Sequence, residues 1–265
     1  DSFADAEART AERSAGGAEN WEPGPMPDIY IAMGQTAENV AQMTGISRER
    51  QDEFGVRSQN LAEEARNRGF FEREITPYTT PDGTVVSHDD GIREGTTLEK
   101  VSQLQPVFRP DGTITAGNAC PLNDGAAAVV VMSDTRAKEL GIKPLARIVS
   151  SAVTALHPEI MGLGPIEAIK AALARAELTV DDIDLFEINE AFAVQVLGSA
   201  DELGIPLEKL NVNGGSIALG HPFGMTGARI MNTLLNGLED RDGRYGVESM
   251  CVGGGQGMAM VIERL

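Results

Sequence analysis

His221 stands in NVNGGSIALGHPFGMTGAR (211–229), a stretch whose glycines at 214, 215, 220, 224 and 227 let backbone approach a ligand closely. A histidine there can act as a base and as a donor to an oxyanion, and a helix following Pro222 would point free amides and a positive dipole end at the same place. The structural alternative is a glycine-rich turn whose histidine satisfies a buried carbonyl. Cys251 ends an apolar stretch and precedes GGGQG. Amides exposed by such a turn can hold an anion and lower a thiol pKa, although a buried strand cysteine is an ordinary finding. Cys120 precedes Pro121 and an NDG turn, and packing at a strand entry accounts for it better than chemistry does. Asn189 opens NEAF at the end of an apolar strand pattern, the edge where α/β sheets bind ligands. It reads equally as a helix N-cap. His88, in a polar loop, and His157, before Pro158, read as exposed and as packing or capping residues.

Other chemistries lack their residues. There is no GxxxxGK[ST], no GxGxxG order, no G-x-S-x-G elbow and no close Cys/His set for zinc. The serine of GGSIALG has no triad arranged around it. Forty acidic against 22 basic residues give a net charge of −18, which argues against a nucleic-acid partner. Two cysteines in 265 residues make no disulfide framework and point to a reducing, cytoplasmic setting. No apolar run is long enough to span a bilayer, and the opening DSFADAEART does not read as a signal peptide.

The elements that must position these residues are legible in part. Residues 1–28 read as an exposed connection. Helices are expected over 36–40 and 47–68, the second starting at Ser47 and stopping at Gly69. Residues 70–115 read as short extended pieces joined by PDG, HDDG and RPDG turns. AAAVVVM (126–132) reads as a buried strand, followed by a short helix over 134–140. After residue 142 the pattern is close to βαβαβαββ: strands at 143–153, 182–188, 211–213, 246–252 and 257–263, with Pro165 opening a helix to Ala176. This predicts an α/β domain with a mixed sheet. The strand at 126–132 has no such domain around it and needs sheet partners from elsewhere.

Six stretches in order resemble the thiolase family: MGQTAENVA (33–41), GTITAGNACPLNDGAAAVVVMS (112–133), MGLGPIEA (161–168), NEAFA (189–193), GGSIALGHPFGMTGAR (214–229) and CVGGGQGMAM (251–260). The resemblance implies a layered αβαβα fold, incomplete here in its N-terminal half. It divides the chain into a coenzyme A-covering loop domain with its approaches (1–115), the end of the N-terminal half (116–141) and a complete C-terminal half (142–265). It implies acyl transfer on coenzyme A thioesters, either thiolytic cleavage of a 3-ketoacyl-CoA or the reverse condensation. In that scheme His221 activates a nucleophilic cysteine and lines the first oxyanion hole, Asn189 positions its water, and Cys251 is the acid/base. Backbone at Gly253 contributes to the second hole. Cys120, Pro121, Met161, Phe192 and Phe223 fall at substrate-binding positions, and NACP with GHPFGMTGAR resembles the branch acting on steroid or other bulky acyl-CoAs. The family's nucleophile precedes everything matched here, so neither Cys120 nor Cys251 takes its place. The resemblance further implies no prosthetic group, coenzyme A as co-substrate, a partner chain or segment carrying the nucleophile, and a homodimer or homotetramer of the complete unit. The competing expectation is a non-catalytic acyl-CoA-binding or assembly subunit.

Overall fold

The computed structural model describes residues 28–265; the connection read over 1–27 lies outside the described residues. Among the described residues the first helices are α1 (Met33–Thr44) and α2 (Arg48–Asn67). Ser47 caps α2 as its sequence suggests, its hydroxyl accepting the Arg50 amide at 3.2 Å. α1 is longer than the predicted 36–40, and its inner face is buried from Gly34 to Ala41. Glu38 on that face accepts the amides of Thr113 and Ile114, tying α1 to the 109–118 crossing.

Residues 70–115 hold a 3-10 turn (Phe70–Arg73), a two-residue hairpin of β1 (Tyr78–Thr79) with β2 (Val85–Val86), and a one-turn helix α3 (Leu98–Val101). α4 covers Asp134–Leu140, the predicted span.

The main sheet contains β3 (Ala146–Ala155), β4 (Leu185–Ile188), β5 (Tyr245–Val252) and β6 (Gln256–Arg264), in the order β3-β6-β5-β4. β4 runs parallel to β5, while β6 is antiparallel to both neighbours. Side-chain alternation along these strands supplies two faces. Val247, Ala259 and Val261 pack with Ala168, Ile169 and Ala172 of α5 (Gly164–Ala176) and with α6 (Ala193–Leu203). Leu185, Met260 and Ile262 pack with Leu234 and Leu238 of α8 (Thr226–Asp240), which follows the short α7 (Ser216–Leu219).

Two strand expectations are corrected. Residues 126–132 form no strand and take no regular structure, with Val130 84% and Val131 70% exposed. A strand exists only where a neighbour accepts its backbone hydrogen bonds, and no described segment lies beside this one to do so. It instead runs past α8, where the Asn232 amide meets the Ala128 carbonyl at 3.4 Å. Residues 211–213 make isolated bridges rather than a strand, because Asn211 takes a positive φ of 45° and turns the chain.

Candidate active site

The NEAF segment leaves β4 at the sheet's carboxyl edge and distributes the site. The Asn189 amide still pairs with the Ser249 carbonyl of β5 at 2.9 Å, which fixes where its side chain emerges. The N-cap of α6 is Phe192, and its side chain caps nothing; Asn189 is therefore not the cap its spacing allowed. Its Nδ2 instead lies 3.3 Å from His221 Nε2, and its Oδ1 accepts the Ser216 hydroxyl at 2.6 Å.

His221 is delivered by a turn that only glycine permits comfortably. Gly220 has φ +91°, and a Cβ there would fall 2.2 Å from the Asn123 amide. Asn123 Oδ1 in turn accepts the His221 backbone amide at 3.0 Å. His221 Nδ1 lies 2.6 Å from Thr226 Oγ1, whose hydroxyl donates to the Pro222 carbonyl at 2.9 Å. α8 begins at Thr226, four residues after Pro222, so it is the Thr226 side chain that meets the imidazole. Burial, and then the charge of Arg229, push the His221 pKa below its ordinary value. The imidazole is therefore neutral near neutral pH, as a base must be. Phe223, 78% exposed, stands edge-on to its ring at 5.2 Å.

The neighbouring residue, Glu190, is fully buried and holds the cradle together. Its carboxylate accepts the Ser58 hydroxyl of α2 at 2.6 Å, the Asn211 amide at 2.8 Å and the Ile217 amide at 3.2 Å. Gln59 of the same helix reaches the Ile217 carbonyl at 3.2 Å. These bonds clamp the glycine-rich stretch onto α2.

Ala191 leads to the two thiols. Its carbonyl accepts the Cys120 amide at 3.0 Å, and its own amide donates to Gln195 Oε1 at 3.2 Å. The same Oε1 lies 3.9 Å from Cys251 Sγ. Cys251 is 8% exposed on β5, and burial pushes its thiol up to about 12. Burial also raises Cys120, to about 11, so both cysteines rest as thiols. Both are free. The depressed thiol pKa that an amide-rich turn would give Cys251 is therefore not observed: the turn amides at Gly253 and Gly254 lie exposed beyond it, and the sulfur stays inside the sheet layer.

Phe192 bridges Ala119 through the backbone and meets Phe108 edge-on at 6.1 Å. Pro121 follows Cys120 on the half-buried side of the same crossing. Met161 is 6% exposed in the 3-10 turn Pro158–Leu163, on the α5 and α6 side of the sheet. Gly253 opens the β5–β6 turn, completed by Gly254 and Gly255 at φ of +86° and +88°. His88 is exposed, and His157 Nδ1 lies 3.6 Å from Glu159.

A buried and a half-buried carboxylate sit side by side on the sheet. Glu187 and Glu248 are register partners on β4 and β5. Burial raises Glu187 well above the usual carboxylate range, opposed mainly by Arg229, and raises Glu248 to about 8. Ser216, Thr226, Arg229, Glu190 and Gln195 thus all serve the site without having been singled out from sequence. Glu190 lies in NEAF, and Ser216, Thr226 and Arg229 lie in GGSIALGHPFGMTGAR, but separations of up to 39 positions conceal their contacts, and Gln195 lies in neither stretch.

Among the described residues no helix is long and apolar enough to cross a membrane. The profile described as thiolase, N-terminal domain, matches residues 26–135, and that described as thiolase, C-terminal domain, matches 142–264. An acetyl-CoA acetyltransferase of Cupriavidus necator is 52% identical over 243 residues, covering 89% of this chain and 62% of that protein. The peroxisomal 3-ketoacyl-CoA thiolase B of Rattus norvegicus is 51% identical over 245 residues, covering 89% and 58%. The Bacillus anthracis acetyl-CoA acetyltransferase structure superposes with a TM-score of 0.86 at 43% identity, over 96% of this chain and 68% of that one. Human mitochondrial 3-ketoacyl-CoA thiolase in complex with CoA gives 0.84 at 43% identity, over 89% and 60%. The chain spans about 60% of the length of the curated relatives it matches. With both profiles covering most of its length and with relatives near half identity, the chain belongs to the thiolase family.

Proposed function

We propose that this chain carries the base and acid/base part of an acyl-CoA C-acyltransferase site, cleaving a 3-ketoacyl-CoA to acetyl-CoA and a shortened acyl-CoA or running the reverse condensation. The observation that carries this reading is the NEAF segment, which places Asn189 against the neutral His221 and, two residues later, Ala191 beside Gln195 and the Cys251 thiol.

The chemistry follows from the states of these groups. His221 Nε2 takes the proton of a nucleophilic cysteine supplied by a segment outside this sequence or by a partner chain, and the thiolate attacks the 3-keto carbon. As the carbon–carbon bond breaks, its electrons pass to the thioester enolate, and Cys251, resting as a thiol, protonates it to acetyl-CoA. Cys251, now a thiolate, takes the proton of the coenzyme A thiol, whose sulfur attacks the acyl thioester; the acyl group passes to coenzyme A and the released nucleophile thiolate recovers its proton from His221. Negative charge on each carbonyl oxygen needs donors: the Nε2–H that His221 gains from the nucleophile, with a water held by Asn189, for one, and backbone amide at Gly253 for the other. Cys120, Pro121, Phe192, Met161 and Phe223 are proposed to line the acyl and pantetheine path, with coenzyme A as co-substrate and no prosthetic group. A bulky acyl class fits Phe223, which is exposed beside the histidine. The exposed apolar stretch 129–132 is where the completing segment supplies sheet partners, and the complete unit assembles as a dimer or tetramer. The 1–115, 116–141 and 142–265 division, and a reducing cytoplasmic setting for the two free thiols, belong to the same reading.

The test is reconstitution with a polypeptide carrying the nucleophile, followed by acetoacetyl-CoA thiolysis. Activity should require both components and disappear with Cys251→Ala. Thiolysis retained by Cys251→Ala sinks the assigned role, and binding of acyl-CoA without turnover in the reconstituted wild type favours the non-catalytic subunit.

A further inference from the structure

Ser216 and Arg229 touch neither thiol, yet they stand at the head of a hydrogen-bonded chain that ends on the proposed base. We propose that Ser216, oriented by Arg229, is a positioning residue that fixes the Asn189 carboxamide with its NH2 toward His221 and so keeps Nε2 as a bare lone pair. The proposal rests on the reading of His221 as the base.

The direction of each bond follows from its neighbours. Arg229 has only protons to give, and its Nη2 lies 2.7 Å from Ser216 Oγ. The serine oxygen therefore accepts there, leaving its single proton for Asn189 Oδ1 at 2.6 Å. Oδ1 is thereby the acceptor of the carboxamide, and Nδ2 is the group that faces His221 Nε2 at 3.3 Å. The other end fits the same order. The Thr226 hydroxyl reaches the Pro222 carbonyl, which also accepts the Met225 and Thr226 amides, and with its proton directed there His221 Nδ1 is the donor in the 2.6 Å contact. One nitrogen carries the proton and the other is bare.

Burial makes this order count. Asn189, Ser216 and Thr226 are 1%, 0% and 0% exposed, so bulk water does not compete for their polar atoms. Arg229 comes from α8, the helix that also carries Thr226, and its charge acts on Glu187 of β4 and on Glu74 as well as on His221. Its Nε and Nη1 find no hydrogen-bond acceptor among the described residues, which leaves Ser216 as its one directed bond. Without the serine hydroxyl no donor holds Oδ1, and the carboxamide is oriented only by the tautomer of the imidazole it faces. If it turns, Oδ1 faces Nε2 and favours a proton there, so that this nitrogen no longer accepts one.

Long-range 15N–1H spectra of the full chain resolve the tautomer and titration of its three histidines. Wild-type His221 should carry its proton on Nδ1. Ser216→Ala should populate the Nε2–H form and raise the His221 midpoint by about one pH unit, with His88 and His157 unmoved as reporters of an intact fold. Ser216→Thr, which keeps the hydroxyl, should titrate as wild type. An unchanged His221 in Ser216→Ala overturns the proposal, as does a Thr variant shifted as far as the Ala variant. Should Ser216→Ala not fold, the wild-type spectrum decides: an Nε2–H tautomer there is incompatible with the chain of bonds. None of these readouts is activity, so failure of the acyl-transfer reading would show separately, in the thiolysis assay.

Discussion

Cys251 is expected to be almost inert toward alkylation at neutral pH, a demanding consequence of its burial. The sulfur is 8% exposed inside the sheet layer, with its thiol pushed up to about 12. An ordinary thiol of pKa about 8.5 is roughly one-quarter ionised at pH 8, against on the order of one part in ten thousand for a thiol near 12, so alkylation should be slower by about three orders of magnitude. The Gln195 Oε1 contact acts in the same direction, since an amide oxygen accepts from S–H and repels a thiolate. The assay is iodoacetamide modification of the folded chain across pH 7 to about 10.5, quantified separately for the two cysteine peptides. The log rate at Cys251 should climb by about one per pH unit without a plateau. Cys120, at about 11, should behave similarly and react earlier. A plateau at Cys251 with a midpoint near 8.5 would refute the argument that burial keeps this residue a proton donor at rest. Linkage gives a second sign: a thiol raised in the fold contributes stability below its unfolded pKa and loses it as pH rises toward about 12.

Two further outcomes follow from Glu190 and Glu248. Glu190→Ala removes the acceptor of Ser58, Asn211 and Ile217 together; leaving three buried donors unpaired should cost roughly 3 to 6 kcal/mol in urea unfolding. A loss below about 1 kcal/mol would mean the cradle does not depend on this carboxylate. Glu248 is raised to about 8 by burial, and its Oε2 finds no partner among the described residues. A raised folded pKa gives stability that is present below about 4.5 and lost as pH rises through about 8. Glu248→Gln should therefore stabilise the chain by about 2 kcal/mol at pH 8, after allowance for solvent screening at this partly exposed strand position, and the two proteins should converge below about pH 4.5. Equal stability across the whole pH range would contradict the burial argument.

Local chemistry was enough to read several elements from the amino-acid sequence. Ser47 and Gly69 bracket α2 because a hydroxyl and a left-handed glycine satisfy the free groups of helix ends. The same holds for α4, between Ser133 and Gly141, whereas α5 has Pro165 in its first turn without a side-chain cap and ends on a left-handed Glu177. The β5–β6 hairpin follows from alternation around a glycine turn. His221, Cys251 and Asn189 stood out because each occupies a motif. The apolar run at 126–132 shows the limit of local pattern: its residues favour a strand, but a ladder is a property of two segments.

What the tertiary structure alone decided is the protonation of the site. Sequence places an asparagine at 189 and a serine at 216, and nothing in their spacing says that one orients the other. That relation exists because β4 ends beside the glycine-rich turn and α8 brings Arg229 back over both. The same holds for Cys251. A motif names the thiol, but its high pKa comes from the layers that cover it and from Gln195 on a helix 56 residues away. Residue type is written in the chain, whereas burial, bond direction and charge proximity depend on distances through space, which are fixed only when the layers pack.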